Sequence, residues 1–295
     1  MKKVWFITGS NRGLGKSLTK AVLASGDTVV ATARNPEQLA EFSKDYPEQL
    51  LTIALDVSNR EQIHEAIGKA IAWPGRIDVL VNNAGFGITG AAEAFTDEQV
   101  NRQLIVNLWA PISITRAVLP YMRKQKSGRI IQISSIGGRV GNAGLSIYQA
   151  AKFGLAGFSE SLKNEVAHLG ISVTSVEPGG FRTDWAGSSM EFANDVPGYE
   201  DTVGQMNALF TSGEFLPIGD PDKAANALIE ISRTPKPPTH LVLGSEAIAI
   251  LKKADEARTE EMQKWIKLSL STDHDEELSP QEKVNDYLKR RGLDF

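Results

Sequence analysis

Tyr148 and Lys152 are the two residues whose types and spacing first suggest chemistry in this chain. They stand four positions apart in a stretch that predicts a helix, so both side chains lie on one helix face. A free phenol has a pKa of about 10 and exchanges its proton poorly at neutral pH. Because a neighbouring ammonium favours the phenolate, we expect Lys152 to lower the pKa of Tyr148 and make it a working acid or base.

A serine upstream of this pair extends the candidate site. Ser135 precedes Tyr148 by 13 residues and follows a predicted strand from Arg129 to Ser134. The carboxyl edge of a sheet is where α/β enzymes bind their ligands. A hydroxyl there can donate a hydrogen bond to a substrate carbonyl. Serines also cap helices and form turns, so Ser134 and Ser135 have this structural interpretation as well.

A glycine-rich turn stands between the first predicted strand and the first predicted helix, Lys16 to Ala24. Glycines allow a tight turn and bring backbone N–H groups at a helix N-terminus close to a pyrophosphate. The spacing is G-x-x-x-G-x-G, not the more common G-x-G-x-x-G. Its place before a helix favours a dinucleotide site over a plain loop, and the residues predicted to bind the cofactor there are Gly9, Asn11, Arg12, Gly13, Leu14 and Gly15.

The end of the second predicted strand, Thr28 to Thr32, bears on which dinucleotide binds. A carboxylate at this place would bind the adenosine ribose 2′-OH of NAD. Here Ala33 and Arg34 follow the strand instead. A guanidinium suits a phosphate, and Arg12 offers a second cation to the same group. We therefore predict NADP(H) as the cofactor, although a lone arginine in a loop is often merely solvated.

The elements that must position these residues follow a regular rhythm, in which short apolar runs alternate with helix-length amphipathic stretches. This rhythm predicts βαβ units around a parallel sheet, an α/β fold. The apolar runs are nearly continuous, as expected when helices cover both faces of the sheet. The predicted strands run from Val4 to Thr8, Thr28 to Thr32, Leu51 to Leu55, Val79 to Val81, Arg129 to Ser134, Ile171 to Val176 and His240 to Leu243.

A Gly- and Pro-punctuated stretch over 177–221 interrupts the rhythm before a predicted helix from about Asp222 to Ser232. Long inserts of this kind are usually functional lids or binding loops. We predict a substrate loop at about 184–216 with an apolar pocket that suits hydrophobic ketones or aldehydes. The same side chains would also serve simply to pack the loop, and they are Trp185, Met190, Phe192, Tyr199, Met206, Phe210 and Phe215.

Composition excludes several classes of protein. The 295 residues are 41% hydrophobic and 23% charged, with a net charge of −4 and both signs mixed, so there is no basic footprint for nucleic acid or anionic lipid. The absence of cysteine excludes disulfides and thiolate metal sites, and we predict no metal. No apolar run approaches the roughly 18 residues of a membrane span or forms a signal peptide. We therefore expect a cytoplasmic protein with a small-molecule partner and no membrane contact.

Taken together, the motifs resemble the main branch of the short-chain dehydrogenase/reductase family, and within it the hydroxysteroid-dehydrogenase-like carbonyl reductases. The similarity spans roughly Lys3 to Thr183, and its one small departure is Ala151, where a serine is often found. The motifs occur in the family's order, and they are Thr8-Gly9-x-x-x-Gly13-x-Gly15, Asn82-Asn83-Ala84-Gly85, Ser135, Tyr148-x-x-x-Lys152 and Pro178-Gly179.

The resemblance implies a Rossmann-type fold, a doubly wound parallel sheet. We predict a single catalytic domain over residues 1–244, which includes the substrate loop, and a C-terminal helical extension over 245–295. The resemblance also implies a homodimer or homotetramer built through two long helices, one around Val100 to Met122 and one around Ser146 to His168.

The resemblance further implies a role for each site residue. Tyr148 would protonate the carbonyl oxygen as hydride arrives, Ser135 would polarise the carbonyl, and Lys152 would also hold the nicotinamide ribose. Asn107 would bind a water that relays protons to Lys152, although an asparagine in a helix is usually structural. Asp56 would meet the adenine, Asn83 would brace the central sheet near the cofactor, and Thr183 would bind the nicotinamide carboxamide. Further cofactor contacts are implied for Val57, Ala84, Gly85, Tyr148, Pro178, Gly179 and Phe181.

The expected activity is therefore that of an NADPH-dependent carbonyl reductase, which reversibly converts a ketone or aldehyde to an alcohol. One alternative is an NADP-dependent alcohol or hydroxysteroid dehydrogenase that works in the oxidative direction. Another is a protein that senses NADP(H) without turnover. A pure sensor has no need of the acid, so the intact set of Ser135, Tyr148 and Lys152 favours an enzyme.

Overall fold

A computed structural model of the chain describes residues 2–73, 75–187, 189–212, 216–274 and 279–291. Phe215, one of the predicted pocket residues, lies outside these ranges. The chain forms two compact units, Met1–Ala249 and Ile250–Phe295. The functional division between residues 244 and 245 stays a prediction.

The main sheet has seven parallel strands in the order β3-β2-β1-β4-β6-β7-β9. From β1 the chain winds outward to β3, returns to β4 beside β1, and then winds outward on the other side. This order confirms the predicted Rossmann-type doubly wound sheet, whose switch point lies between β1 and β4. The strands of the structure are β1 Val4–Thr8, β2 Thr28–Ala33, β3 Leu50–Ala54, β4 Val79–Asn82, β5 Gly87–Thr89, β6 Gly128–Ile133, β7 Ile171–Pro178, β8 Met190–Phe192 and β9 His240–Leu243.

Helices cover both faces of this sheet. Their bounds are α1 Gly13–Ala24, α2 Ala40–Asp45, α3 Arg60–Ala72, α4 Asp97–Leu104, α5 Ala110–Gln125, α6 Ser146–Val166, α7 Gln205–Thr211, α8 Pro221–Arg233, α9 Ser245–Leu270 and α10 Pro280–Arg291. Helices α1, α2 and α8 contribute to one apolar layer, and α3, α5 and α6 contribute to the other. The helices α9 and α10 confirm that the C-terminal extension is helical.

Successive residues of β1 supply opposite layers of the core. Trp5 and Ile7 pack with α1 and α8, whereas Phe6 packs with α3 and α5. This alternation is the period of two that a pleated strand imposes. Because both faces are buried, β1 is apolar at consecutive positions, which explains the continuous runs in the sequence.

One helical stretch, Asp97–Gln125, is long and apolar enough to cross a membrane by length and composition alone. It comprises α4, a π-helical turn at Ile105–Trp109, and α5. The core helix of a globular protein passes the same test, and Ile114, Val118 and Met122 of α5 are buried in the core. Its apolar character is therefore accounted for in large part by packing against the sheet.

The stretch predicted to be irregular has more structure than the sequence suggested. It contains β8 and α7, and β8 pairs in parallel with β5 in a separate two-stranded sheet. Strands of three residues are too short to show a hydrophobic period, so neither of them could be predicted from the sequence pattern.

Candidate active site

Tyr148 and Lys152 lie in the first two turns of α6 and are buried, 6% and 5% exposed. The Lys152 Nζ atom lies 5.7 Å from the centre of the Tyr148 ring. The same ammonium donates a hydrogen bond to the Ile133 carbonyl oxygen at the end of β6, at 2.8 Å. The structure therefore brings the phenol and the ammonium together beside the carboxyl edge of the sheet.

Ser135 stands where β6 ends, and its hydroxyl is hydrogen-bonded with the Tyr148 phenol. Its Oγ also accepts a hydrogen bond from the Gly137 N–H at 3.0 Å, which caps the short turn Ile136–Gly138. The interpretation of Ser135 as a residue that caps a turn is therefore confirmed, whereas its hydrogen bond to a substrate carbonyl stays a prediction. Next to it, the Ser134 hydroxyl donates to the Lys152 main-chain carbonyl at 3.3 Å and ties the end of β6 to α6.

Burial controls the proton affinities of the two titratable groups. It raises the pKa of the Tyr148 phenol to about 12, and the hydrogen bond with Ser135 opposes this shift only in part. It lowers the pKa of the Lys152 ammonium to about 8. The expected lowering of the Tyr148 pKa by Lys152 is therefore wrong for this structure, because removal from water disfavours the phenolate more than its neighbours favour it. At neutral pH the phenol keeps its proton.

Asn107 is fully buried in the π-helical turn between α4 and α5. Its amide donates to the Phe86 carbonyl at 2.7 Å and accepts from the Phe86 N–H at 3.2 Å. The side chain therefore holds the segment that follows β4. Irregular π-helical turns occur often at functional sites, but the relay role of Asn107 stays a prediction.

The glycine turn is closed by contacts that leave no room for a side chain. A Cβ on Gly15 would lie 2.1 Å from the Gly9 carbonyl oxygen, and Gly9 and Gly13 both have positive φ, +66° and +52°. Asn83 braces the turn, because its Nδ2 donates to the carbonyl oxygens of Thr8 and Gly9 at 2.9 and 3.1 Å. Glycine is required here by the backbone as well as by any ligand.

The start of α1 fits a phosphate. Arg12 is its N-cap and makes no side-chain capping hydrogen bond, and the first turn has no acidic residue. The first N–H groups of a helix have no partner within the helix, and the helix dipole favours an anion there. The residues from Gly13 to Gly15 are therefore suited to bind the pyrophosphate of a dinucleotide.

Two arginines stand near this turn, Arg12 within it and Arg34 after the neighbouring strand β2. Arg34 is exposed directly after β2, and Arg12 is half-buried. In the described ranges neither guanidinium has an ion-pair partner, whereas Asn11 donates to the Gln38 side chain at 2.7 Å. Asp56 uses Oδ1 to accept from the N–H and hydroxyl of Ser58, so its contact with adenine stays a prediction, as does that of the buried Val57 beside it.

The turn after β7 faces the glycine turn. The Thr183 Cβ lies 3.3 Å from the position that a Cβ on Gly13 would take. The Gly179 N–H donates to Leu243 of β9, and Phe181 bridges to Gly219. A cavity of about 700 Å³ opens beside these two turns, lined by Gly13, Lys16, Ser17, Lys20, Arg182, Thr183, Asp184, Gly187, Phe210, Pro217, Pro221 and Asp222.

The substrate loop places some of its apolar side chains near Tyr148. The Trp185 ring lies 5.3 Å from the Tyr148 ring, between centroids, and Phe210 meets Trp185 edge-on at 6.0 Å. Met190 is buried and packs close to Gly87 together with Trp185. Other apolar residues that were predicted to line the substrate pocket make different contacts. Phe192 is 41% exposed, the Tyr199 hydroxyl donates to Glu93, and Met206 lies next to Gly144.

Sequence reasoning missed Glu177, a fully buried carboxylate near the end of β7. It is hydrogen-bonded with His240 and Arg139. One signal was available in the sequence, because an acidic residue directly follows the apolar run of a buried parallel strand. An acidic side chain is almost never fully buried unless it is paired, so Glu177 at this position needs charged or polar partners.

Comparison with known proteins agrees with this geometry. The family model described as short chain dehydrogenase matches residues 3–194. The chain is 42% identical over 273 residues to Oxidoreductase BOA17 of Botryotinia fuckeliana (strain B05.10), an alignment that covers 92% of this chain and 100% of that protein.

Two solved structures are similar over most of the chain. A short-chain dehydrogenase from Streptomyces avermitilis has a TM-score of 0.88 and 39% identity, covering 93% of this chain and 100% of that one. ElxO, solved with NADP bound, has a TM-score of 0.71 and 25% identity, covering 84% of this chain and 100% of its own. The protein is an NAD(P)-dependent oxidoreductase acting on CH–OH or C=O groups, and it belongs to the short-chain dehydrogenase/reductase family.

Proposed function

We propose that this protein is an NADPH-dependent carbonyl reductase that converts a ketone or aldehyde to an alcohol. The observation that carries the proposal is the placement of the buried Tyr148 phenol, which is hydrogen-bonded with Ser135 and whose ring centre lies 5.7 Å from the Lys152 Nζ atom. A phenol is protonated at neutral pH, so Tyr148 can act as a general acid.

In the proposed reaction, a hydride would reach the carbonyl carbon from NADPH bound at the glycine turn. Tyr148 donates its phenolic proton to the carbonyl oxygen, and the Ser135 hydroxyl donates a second hydrogen bond to that oxygen and polarises the carbonyl. The phenolate left behind is stabilised by the nearby Lys152 ammonium and by Ser135. A water bound by Asn107 would return the proton through Lys152.

Preference for NADP(H) rests on the two arginines beside the glycine turn. Arg34 replaces the carboxylate that would bind the 2′-OH of NAD, and Arg12 stands in the turn itself. A phosphate binds guanidinium groups through paired charge-assisted hydrogen bonds. The NADP bound in ElxO, a similar structure, supports the same preference.

The substrate proposed for this site is apolar near its carbonyl. Trp185, Met190 and Phe210 form an apolar wall close to Tyr148, and binding pockets of this composition favour hydrophobic ligands. A ketosteroid, the oxidised partner of a hydroxysteroid, is one member of that class, in keeping with the sequence resemblance to hydroxysteroid-dehydrogenase-like carbonyl reductases.

The oxidative direction uses the same groups, with the Tyr148 phenolate as the base, and the ratio of oxidised to reduced cofactor decides between the two directions. The sensor function is a weaker alternative. A sensor would not need Ser135 and Lys152 placed around a buried phenol.

A panel of ketones and aldehydes, assayed with NADPH and with NADH, tests the proposal. We expect NADPH oxidation with at least one hydrophobic carbonyl compound, and slower turnover with NADH. Tight NADPH binding with no turnover across the panel would contradict the reductase and favour the sensor.

A homodimer or homotetramer is also proposed. Apolar side chains are exposed on the two long helices that the resemblance implicates, and they are Ile105, Trp109, Tyr121 and Phe153. Exposed apolar groups of this kind often mark protein–protein contacts. Light scattering should then give a mass two or four times the 32.0 kDa of the chain.

A further inference from the structure

Glu177 is a fully buried carboxylate that the proposed reaction does not use. Its Oε1 accepts a hydrogen bond from His240 Nδ1 at 2.6 Å, and its Oε2 accepts one from Arg139 Nη1 at 3.4 Å. Both oxygens are therefore engaged, as a buried ion requires if its removal from water is to be offset. The three side chains Glu177, Arg139 and His240 are called the positioning cluster below.

Through Arg139, the cluster reaches the turn that carries Ser135. The Arg139 N–H donates to the Ile136 carbonyl at 2.8 Å, and the Gly138 N–H donates to the Ser135 carbonyl at 2.9 Å. Arg139 thus closes the turn with its backbone while its guanidinium holds Glu177. The side chain and the backbone of Arg139 therefore join Glu177 to the turn that carries Ser135.

Through His240, the cluster reaches the helix that carries Tyr148 and Lys152. His240 begins β9 and pairs with Ser175 of β7. Its Nε2 lies 3.9 Å from the carboxylate of Glu160, which is on α6 two turns after Lys152. The imidazole therefore stands between the buried carboxylate and the catalytic helix.

Glu177 also precedes the turn implicated in nicotinamide binding, since Pro178 is its direct neighbour. That turn is held further along by the Gly179 N–H, which donates to Leu243, and by the Gly180 N–H, which donates to Glu246 Oε1 at 2.9 Å. One buried carboxylate is thus linked to three segments on which Ser135, the Tyr148–Lys152 pair and the nicotinamide turn depend.

We propose that Glu177 is a positioning residue, which through Arg139 and His240 fixes the Ser135 turn and the turn after β7 relative to α6. The proposal rests on the carbonyl reductase function only for its effect on rate. Hydride transfer requires donor and acceptor in one narrow geometry, so a small displacement of any of the three segments slows the reaction.

The test compares Glu177→Gln with Asp27→Asn. Asp27 is also a buried acid, bound to Trp5 and paired with Arg233, but it lies just before β2, at the opposite end of the sheet from the site. Both substitutions remove a buried charge, so both should lower the melting temperature. Two further measurements separate positioning from stability, the rate of hydride transfer in a single turnover and amide hydrogen exchange at 135–139 and 178–183.

For Glu177→Gln we expect single-turnover hydride transfer to fall by about 10- to 100-fold and exchange in both segments to become faster. For Asp27→Asn neither quantity should change. The NADPH dissociation constant should stay within about threefold in both variants, because the phosphate contacts of the glycine turn are intact. If Glu177→Gln does not fold, His240→Asn, which removes one of the two partners, should show the same pattern with smaller effects.

Unchanged exchange and an unchanged rate of hydride transfer in Glu177→Gln, or equal changes in Asp27→Asn, would overturn the proposal. Failure of the reductase function gives a different result. In that case no carbonyl compound is reduced by the unmodified protein, but exchange at 135–139 and 178–183 still responds to Glu177→Gln alone.

Discussion

The catalytic edge and the substrate loop of this protein are held in very different ways. At the catalytic edge, which comprises Ser135, Tyr148 and Lys152, side chains are mostly buried and bonded to strand ends. The described parts of the loop, 184–187, 189–212 and 216, are largely exposed. Under the proposed function, this difference would place the reacting groups on the packed core and the selection of substrate on a more exposed segment.

In the described part of the loop, the contacts with the rest of the molecule combine buried apolar residues, Met190, Ala193 and Val203, with polar contacts that lie mostly at the surface. Strand β8 pairs with β5, the Thr89 hydroxyl donates to Asn207 at 2.9 Å, and Arg102 forms an ion pair with Glu191. Both members of that ion pair are 45% exposed, and exposed pairs contribute only about 0–1 kcal/mol. The loop is thus tied to the segment after β4 mainly by backbone pairing.

The largest expected effect tests the catalytic edge. In Tyr148→Phe the ring still packs against Trp185 but has no proton to donate, so kcat/KM should fall by about 10²- to 10⁴-fold for every substrate. NADPH binding, measured by fluorescence titration, should change by less than about twofold, because the phosphate contacts are untouched. Tyr199→Phe is the matched control, since its hydroxyl donates to Glu93 at the surface, its one hydrogen-bond partner among the described residues. Substantial residual turnover would remove Tyr148 as the proton donor.

A second prediction uses pH to separate the two titratable groups of that edge. The Lys152 ammonium loses its proton above a pKa of about 8, while the Tyr148 phenol keeps its own up to about 12. If the ammonium stabilises the phenolate, reduction should slow above pH 8 by up to about tenfold per pH unit. A profile of single-turnover rate that stays flat to pH 10 would mean that the charge of Lys152 is not needed.

Unfolding does not explain such a decline. The folded pKa of Lys152 lies below its ordinary value of 10.5, so between about 8 and 10.5 the unfolded chain binds more protons at this group. Stability contributed by Lys152 therefore rises with pH in this window, opposite to the expected loss of rate. Melting temperatures measured over the same range provide the check.

The residues of the catalytic edge could largely be predicted from the sequence, because their relative positions are set by local structure. Helical spacing fixes Tyr148 relative to Lys152, and glycines whose Cβ atoms would clash, such as Gly15, are required by the backbone itself. The direction of the Tyr148 pKa shift was not readable, because it depends on burial by distant segments.

The substrate loop was much less readable, because its constraints are between distant segments. The pairing of β5 with β8 joins residues about a hundred positions apart, and neither strand is long enough to show a period. Trp185 and Phe192 were equal candidates in sequence, yet one packs against Tyr148 and the other is exposed. Glu177 was overlooked for the same reason, since its partners Arg139 and His240 are far from it along the chain.

A third prediction concerns the cofactor. The substitution it uses should leave both the catalytic edge and the substrate loop unchanged. In Arg34→Ala the NADPH dissociation constant should rise by about 10- to 100-fold, the loss expected for charge-assisted hydrogen bonds to a phosphate. NADH binding should stay within about twofold, because NADH has no 2′-phosphate. Arg60→Ala, a change at another exposed arginine, is the control. Equal losses for the two cofactors would show that Arg34 does not bind the 2′-phosphate.

The prediction with the smallest expected effect separates the substrate loop from the catalytic edge, because the loss of activity should depend on the substrate. In Trp185→Ala, kcat/KM for a bulky apolar ketone should fall by about tenfold, because the wall it packs against is removed. For a small aliphatic ketone the change should be about twofold or less. Trp73→Ala controls for loss of an indole at a 41% exposed position. Equal losses for both ketones would mean that Trp185 acts by holding Tyr148, so that the loop would belong to the catalytic edge after all.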